Sequence, residues 1–581
     1  MPRFPTTICD RNLDLAFEYL ASLKYTGPVG MSCDDTKLHP ALRTYWDPSK
    51  ECHFLVGTIG EPIAVKDETT VRELMETHKK NAATKVSLVT CIILSNSSDF
   101  LLQIRVWTLQ IPLPGISPLV LAAKAIPNSL TAPQLLPLSF DLIKGLISRK
   151  IKVISYSCDG SEVERSVQKQ IVEKADYKYT YRIRHPIDGQ PPIITTIAVI
   201  DGQPVAMVQD SNHGLKTSRN NLFTGAKLLT IGGHVAMFQY ARQVAFESGS
   251  PLYHRDVEKL DRQDDNAAIR VHSGSHIAYL AKNHPQLLGH IIYLFINGEL
   301  IDAYQNRNIP HLERIKMVLR AKFFYQMWRS FLKAAGYAED RHFVSHQFAD
   351  IIDILIDGLI SLVIIYRDHM DGEIFPLLLW LHSSEICEHL FAECRKLIKD
   401  FTYLDFIYMV PHLLILIRAA VNLGHSGDSK ARASGYTHSW HDSEDINITN
   451  LSDLPLDSDI ERVAKEAWDE ADSLFTFSGV SPADFIFKQQ EQTTRLPGIG
   501  SWFTPDTDPI PELLHPEEED DGFVAEADEE LDSEEISEAT QLQSRIDDEE
   551  FAHSRSNETD NRMLGLTCAA IAVEVDEHIL V

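Results

Sequence analysis

Apolar residues recur in two rhythms along this chain, and the change from one to the other divides it. Residues 11–24 have helical spacing, with Leu13, Phe17, Leu20 and Leu23 on one stripe, and Gly27-Pro28 breaks it. Val29 to Cys33 is a short apolar run closed by Asp34-Asp35, and 53–58 reads as another strand. A helix-like segment at 70–81 precedes β-rich runs at 86–95, 101–112 and 118–126. A helix is predicted over 134–148, then a strand over 151–157 that ends at Cys158-Asp159-Gly160. Ser161-x-x-Glu164 has the form of a capping box opening a helix to about Ala175. Ile187-Asp188-Gly189-Gln190-Pro191 and Ile200-Asp201-Gly202-Gln203-Pro204 repeat one another as turns flanking a strand at 193–200. A further strand at 205–208 runs to Asp210.

From 213 to 382 the rhythm is helical, with amphipathic stretches at 225–247, 267–283, 310–335 and 345–367. A helix over 384–399 follows, with Ile386, Leu390, Cys394 and Leu397 as its apolar line. Beyond about 425, Ser, Asp and Glu replace the apolar pattern. The segment 517–550 is expected to be disordered, while 459–476 has local helical character.

Charge sharpens that division. The 581 residues carry a net charge of −29, which would argue against a nucleic-acid partner if it were spread evenly. It is not: 441–581 holds 38 acidic and 7 basic residues, which leaves 1–440 near neutral at +2. The body can therefore carry a basic groove. Cys9, Cys33, Cys52, Cys91, Cys158, Cys387, Cys394 and Cys568 include no C-x-x-C pair, so they read as reduced intracellular thiols and not as a disulfide framework or zinc site. No secretory signal opens the chain. The apolar runs at 351–365 and 403–421 contain Asp353, Asp357, Asp405, His412 and Arg418, which suits buried helices better than membrane spans.

Four stretches could carry chemistry, and each has a plainer reading. Asp34 closes a strand, where sheets present functional groups, or it caps the next segment. Asp159 also closes a strand, but Asp-Gly is turn chemistry. Glu385 and Glu388 share one face of a helix, which by default is a solvated stripe. Asp210, His213, Lys216 and Arg219 recur every third residue, followed by Asn220, at what could be an ordinary helix start. No phosphate loop, nucleophile elbow or H-E-x-x-H helix is present.

Taken together, Ser32-Cys33-Asp34-Asp35-Thr36-Lys37-Leu38, Ser157-Cys158-Asp159-Gly160-Ser161-Glu162-Val163, Asp210-x-x-His213-x-x-Lys216-x-x-Arg219-Asn220-Asn221-Leu222 and Ser384-Glu385-Ile386-Cys387-Glu388-His389-Leu390-Phe391 resemble P-element-type (THAP-associated) transposases, especially their fungal relatives. The resemblance covers roughly 28–425. It implies an α/β fold: an RNase H-like mixed sheet flanked by helices, interrupted by a large all-α insertion, with a disordered acidic C-terminal tail. The expected division is a helical lead-in at 1–26, the first part of the RNase H-like domain at 27–212, the helical insertion at 213–382, the returning helix at 383–425 and the tail at 426–581.

The resemblance further implies Asp34, Asp159 and Glu388 as catalytic acids holding two Mg²⁺ or Mn²⁺ ions, with Glu385 in support where the family usually has aspartate. It implies DNA cleavage and strand transfer, a nuclear location, self-association, and GTP on the insertion. No residues of 213–382 match the family's guanine-binding set one by one, and Lys259 to Ala268 is only a faint echo of it. The family's N-terminal zinc DNA-binding module has no counterpart here, so a domesticated, inactive DNA- or chromatin-binding protein stands as the alternative.

Overall fold

The computed structural model describes residues 4–39, 41, 43–48, 50–57, 62–65, 102–258, 262–422 and 446–486. The helix expected at 70–81, the strand at 86–95 and the acidic segment 517–550 lie outside the described residues.

Helix α1 (Asp10–Ser22) leads into β1 (Pro28–Lys37). A small antiparallel sheet of β2 (Arg43–Asp47), β3 (Cys52–Val56) and β4 (Ile63–Val65) follows. The main sheet is completed by β5 (Leu102–Gln110), β6 (Leu119–Pro127), β7 (Lys152–Cys158), β8 (Tyr177–Ile183), β9 (Ile193–Ile200) and β10 (Gln203–Gln209). Its order is β6-β5-β1-β7-β10-β9-β8. Strand β1 runs antiparallel to β5 and parallel to β7, which is itself parallel to β10. That order and sense make this an RNase H-like mixed sheet flanked by helices.

Helices α2 (Ala132–Ser148) and α3 (Glu162–Lys174) supply the parallel crossovers. With α1 they cover one face, where Leu13, Phe140 and Val167 pack with Val153 and Tyr156. Strand β8 is an addition to the expected set. Its Lys178, Thr180 and Arg182 are exposed on an edge strand, so its sequence shows little of the apolar run that marks a buried strand. Between β9 and β10, Asp201 and Gly202 both take left-handed backbone (φ 47° and 82°), the two-residue turn that the repeated Asp-Gly suggested.

The helical block begins with α4 (Ser211–Phe223) and contains α5 (Leu288–Gln305), α6 (His311–Ala335) and α7 (His346–Asp368). Helix α7 lies across the second face of β10. A Cβ on its Gly358 would stand 2.7 Å from the Met207 carbonyl, so glycine permits that approach. Two stretches expected to be single helices are broken. In 225–247 a ribbon of β11 (Leu229–Ile231) and β12 (His234–Ala236) precedes a short helix, Phe238–Ala245. In 267–283, Asp265–Val271 and Gly274–Asn283 meet at Ser273, whose hydroxyl caps the second helix.

Helices α8 (Glu385–Leu397) and α9 (Tyr403–Asn422) return to the sheet. The expected apolar line of α8 shifts: Cys387 and Phe391 are buried, while Leu397 is exposed. A larger correction concerns the tail, because 446–486 belongs to the folded body. Helix α10 (Asp457–Phe477) buries Ile460, Val463, Ala464, Ala467, Trp468, Ala471 and Phe475 in the core of the helical block. Lys316 Nζ lies 3.2 Å from Glu470, and Arg320 also pairs with it; Asp457 accepts from Tyr181 of β8 at 2.7 Å. Its outward charges pair along the helix, as in Arg462–Glu466 at 2.7 Å, and give it the composition of the tail. Among the described residues no helix is long and apolar enough to cross a membrane.

Candidate active site

Register places three aspartates in a lateral row. Ser32 on β1 lies opposite Ser157 on β7, and Ser157 lies opposite Val208 on β10. Two residues further on come Asp34, Asp159 and Asp210, on parallel neighbours spaced about 4.8 Å apart, with Asp159 and Asp210 just past the carboxyl ends of β7 and β10. The Asp210 amide donates to the Cys158 carbonyl at 3.0 Å and holds the row tight. Asp34 does not end its strand as expected: β1 runs on to Lys37 because β5 continues to pair with it. Each aspartate spends one oxygen on the local backbone. Asp34 Oδ1 accepts from the Asp35 amide at 2.7 Å, Asp159 Oδ1 from Ser161 at 3.1 Å, and Asp210 Oδ1 from Asn212 at 2.9 Å. The turn and cap roles are therefore real, and they orient the carboxylates.

Strand alternation sends Asp34 and Asp35 to opposite faces. On the Asp34 side, α8 packs Cys387, Leu390, Phe391 and Cys394 against Ile104, Val106, Ala123 and Ala125. Arg395 Nη2 donates to Thr36 Oγ1 at 2.6 Å, fixing the far end of the helix on β1. The first turn of α8 then carries Glu385 and Glu388. Neither is a solvated stripe: Glu385 is only 6% exposed and Glu388 is half-buried. Glu385 Oε1 accepts from His389 Nε2 at 3.3 Å.

The charges of these groups act on one another. Burial, then Asp159 and Glu388, raise the Asp34 carboxyl well above the usual carboxylate range. Burial and Asp210 push Glu388 up to about 8, against the pull of Lys216. Burial and Glu385 push Asp210 up to about 7, again opposed by Lys216. Among the charged groups, Asp210 and Lys216 act most strongly on Glu388.

The Asp210 motif divides between two jobs. Lys216 is 8% exposed, and its Nζ lies 3.0 Å from Asp265 Oδ1 in the helical block. Burial works against its charge, but Glu388, Asp265 and Asp210 together raise its pKa. His213 is buried beside Asp159, and burial lowers its pKa. A Cβ on Gly160 would stand 2.6 Å from the His213 ring, so the glycine after Asp159 admits that histidine. Arg219 and Asn220 are not brought to the row. Arg219 is buried over the Phe223 ring and donates to the Asp256 carbonyl at 3.3 Å, and Asn220 donates to the Arg262 carbonyl at 3.4 Å. Both fasten α4 to the helical block.

Two features escape the sequence reading. Asp265 enters from about fifty residues downstream, at the start of a short helix, with only a run of acids to announce it. Behind the row, Arg105 donates to Asp35 at 2.8 and 2.9 Å and pairs with Glu164. The Ser161 hydroxyl does accept from the Glu164 amide, but the Glu164 side chain turns to Arg105 instead of closing the box. Burial pushes Glu164 up to about 7 against the pull of Arg105.

The donors along the row are hard carboxylate oxygens, the set that suits Mg²⁺ or Mn²⁺. Among the described residues no group of three or more His, Cys, Asp or Glu stands gathered in metal-ligand geometry. No family model matches the chain, and no curated protein matches it. Among solved structures, the Drosophila P element transposase strand transfer complex is similar at 13% identity and a TM-score of 0.41, over 67% of this chain and 76% of that one.

Proposed function

We propose that this protein is a transposase-derived, divalent-metal-dependent enzyme that cleaves DNA phosphodiesters and transfers the strand through Asp34, Asp159 and Glu388. The observation that carries the reading is the register that sets Asp34 and Asp159 side by side on the parallel neighbours β1 and β7, with α8 packed on the Asp34 side of the sheet; burial, then the charges of Asp159 and Glu388, raise the Asp34 carboxyl. Asp34 and Asp159 would hold the metal from adjacent parallel strands, and Glu388 would reach it from α8. The metal would supply charge for the entering and leaving oxygens of an in-line displacement.

The chain's own residues prepare that site. Backbone donors to Asp34 and Asp159 keep each carboxylate aimed. The Arg105–Asp35–Glu164 network stiffens β1 from behind, so Asp34 cannot retreat. His213 packs against Gly160, beside Asp159. Nuclear residence, self-association and guanine nucleotide on the helical block belong to the same reading and rest on the sequence resemblance alone.

The test is nicking of supercoiled DNA in Mg²⁺ or Mn²⁺ by wild type and Asp159→Ala. Metal-dependent nicking that the substitution abolishes supports the enzyme. DNA binding without nicking by a folded preparation would favour the inactive binding protein, and nicking indifferent to Asp159 would sink the assignment of the site.

A further inference from the structure

Helix α8 carries a polar stripe of which the carboxylate site uses only the start. Glu388, Ala392 and Arg395 follow one another at helical spacing and share one face; Glu388 is half-buried and the other two are exposed. At a rise of 1.5 Å per residue, Arg395 stands about 10 Å along the helix from Glu388. Strand β1 runs beside this stripe. Its Thr36 lies two residues beyond Asp34 on the same face of the sheet, about 7 Å along the strand. The two elements meet where Arg395 Nη2 donates to Thr36 Oγ1 at 2.6 Å. Between that contact and Glu388, the stripe presents only the methyl of Ala392.

The bond to Thr36 aims the guanidinium. A basic residue in the last turn of a helix ordinarily turns to the final carbonyls or to a carboxylate one turn away, as Lys396 does with Glu393 at 2.6 Å. Arg395 instead reaches sideways to β1, and among the described residues no carboxylate pairs with it. A guanidinium steadied at one corner, exposed and without a counter-charge, suits the oxygens of a phosphate.

We propose that Arg395, steadied by Thr36, binds a phosphate of the DNA strand that leaves the carboxylate row. With nucleotides rising about 3.4 Å each, the distances along β1 and α8 put that phosphate about two to three nucleotides from the phosphodiester at the acids. The inference rests on the carboxylate-site reading above for the course of the strand. Arg395 contacts no reacting atom; it holds the backbone, and the small side chain of Ala392 leaves the path open.

Anisotropy of a short fluorescein-labelled DNA duplex, titrated with the full chain in chelator over a series of salt concentrations, reads this contact without metal or cleavage. Wild type should bind. Arg395→Gln should bind about fivefold more weakly near physiological salt, with the slope of log Kd against log salt smaller by about 0.9, the value of one phosphate contact. Arg395→Lys keeps the charge, so it should keep the slope and lose about threefold in affinity with the planar fork. Lys282→Gln, which removes an exposed cation from the helical block, should match wild type. Absence of binding by wild type, an unchanged slope for Arg395→Gln, or the same loss from Lys282→Gln overturns the proposal. Should Arg395→Gln fail to fold, Thr36→Val decides: affinity about twofold to threefold weaker at an unchanged slope upholds it, and wild-type affinity overturns it. Nicking in Mg²⁺ separates this proposal from the reading it rests on. Arg395→Gln should raise KM and keep kcat. Duplex binding with the expected change of slope but no metal-dependent nicking upholds the phosphate contact and removes the carboxylate site.

Discussion

Glu388→Gln should stabilise the metal-free protein at neutral pH and lose that effect in acid. Glu388 is pushed up to about 8 in the fold, from an ordinary value of 4.5. A carboxyl with a raised folded pKa keeps a proton that the unfolded chain releases, so stability falls as pH climbs from 4.5 to about 8. At 1.36 kcal/mol per pH unit, that gap caps the penalty at about 5 kcal/mol. Asp210, pushed up to about 7, shares Lys216 as its counter-charge, so the two acids titrate together. About 2 kcal/mol is then the fair expectation for Glu388 alone. Urea unfolding in chelator, followed by tryptophan fluorescence, should give a gain of about 2 kcal/mol at pH 7.5 and under about 0.5 kcal/mol at pH 5. A gain that is the same at both pH values, or a loss at pH 7.5, would refute the electrostatic reasoning.

Three other outcomes follow from packing. Gly160→Ala puts a methyl 2.6 Å from the His213 ring and 2.8 Å from Ile351, so it should cost about 1–3 kcal/mol in unfolding experiments. Pairing it with His213→Ala should recover part of that loss, and an unaffected melting curve would show that the glycine is not needed. Arg105→Met strands Asp35 and Glu164 beneath β1 and should cost about 3–5 kcal/mol at pH 8. The loss should shrink near pH 5.5, where Glu164, pushed up to about 7, stays protonated, and a pH-independent loss would contradict the ion-pair account. A chain ended after residue 445 exposes the surfaces that Trp468 and Phe475 bury and should melt at least about 10 °C lower than one ended after 486, or precipitate. Equal melting of the two would mean that α10 contributes nothing.

The sequence made the local elements of the sheet legible and left their pairing hidden. Periodicity marks β5, β6, β7 and β9 because each buries at least one face, and it fails at the edge strand β8, where the polar positions are the exposed ones. No local signal states that β1 pairs parallel with β7 and antiparallel with β5, yet that register is what aligns Asp34, Asp159 and Asp210. Asp210 was visible as the first residue of a spaced polar motif after a strand, not as a member of the row. The same residue is a helix cap and a member of the row, and composition cannot separate the two roles. Asp265 was invisible for a related reason: its importance lies in a contact with Lys216 across the helical block. The tail boundary erred because α10 wears the charge of the acidic segment on its outer face, while its inner stripe, Ile460 through Phe475, has the spacing of a core helix.

The proposed chemistry turns on where a divalent ion settles. Crystals of the full chain soaked in Mn²⁺, with data collected at the manganese absorption edge, would place it directly. Mn²⁺ should lie against both Asp34 and Asp159, with Glu388 reaching it from α8. Mn²⁺ absent from Asp34 and Asp159, or held at Asp210 and Glu385 with Asp34 untouched, would contradict the assignment.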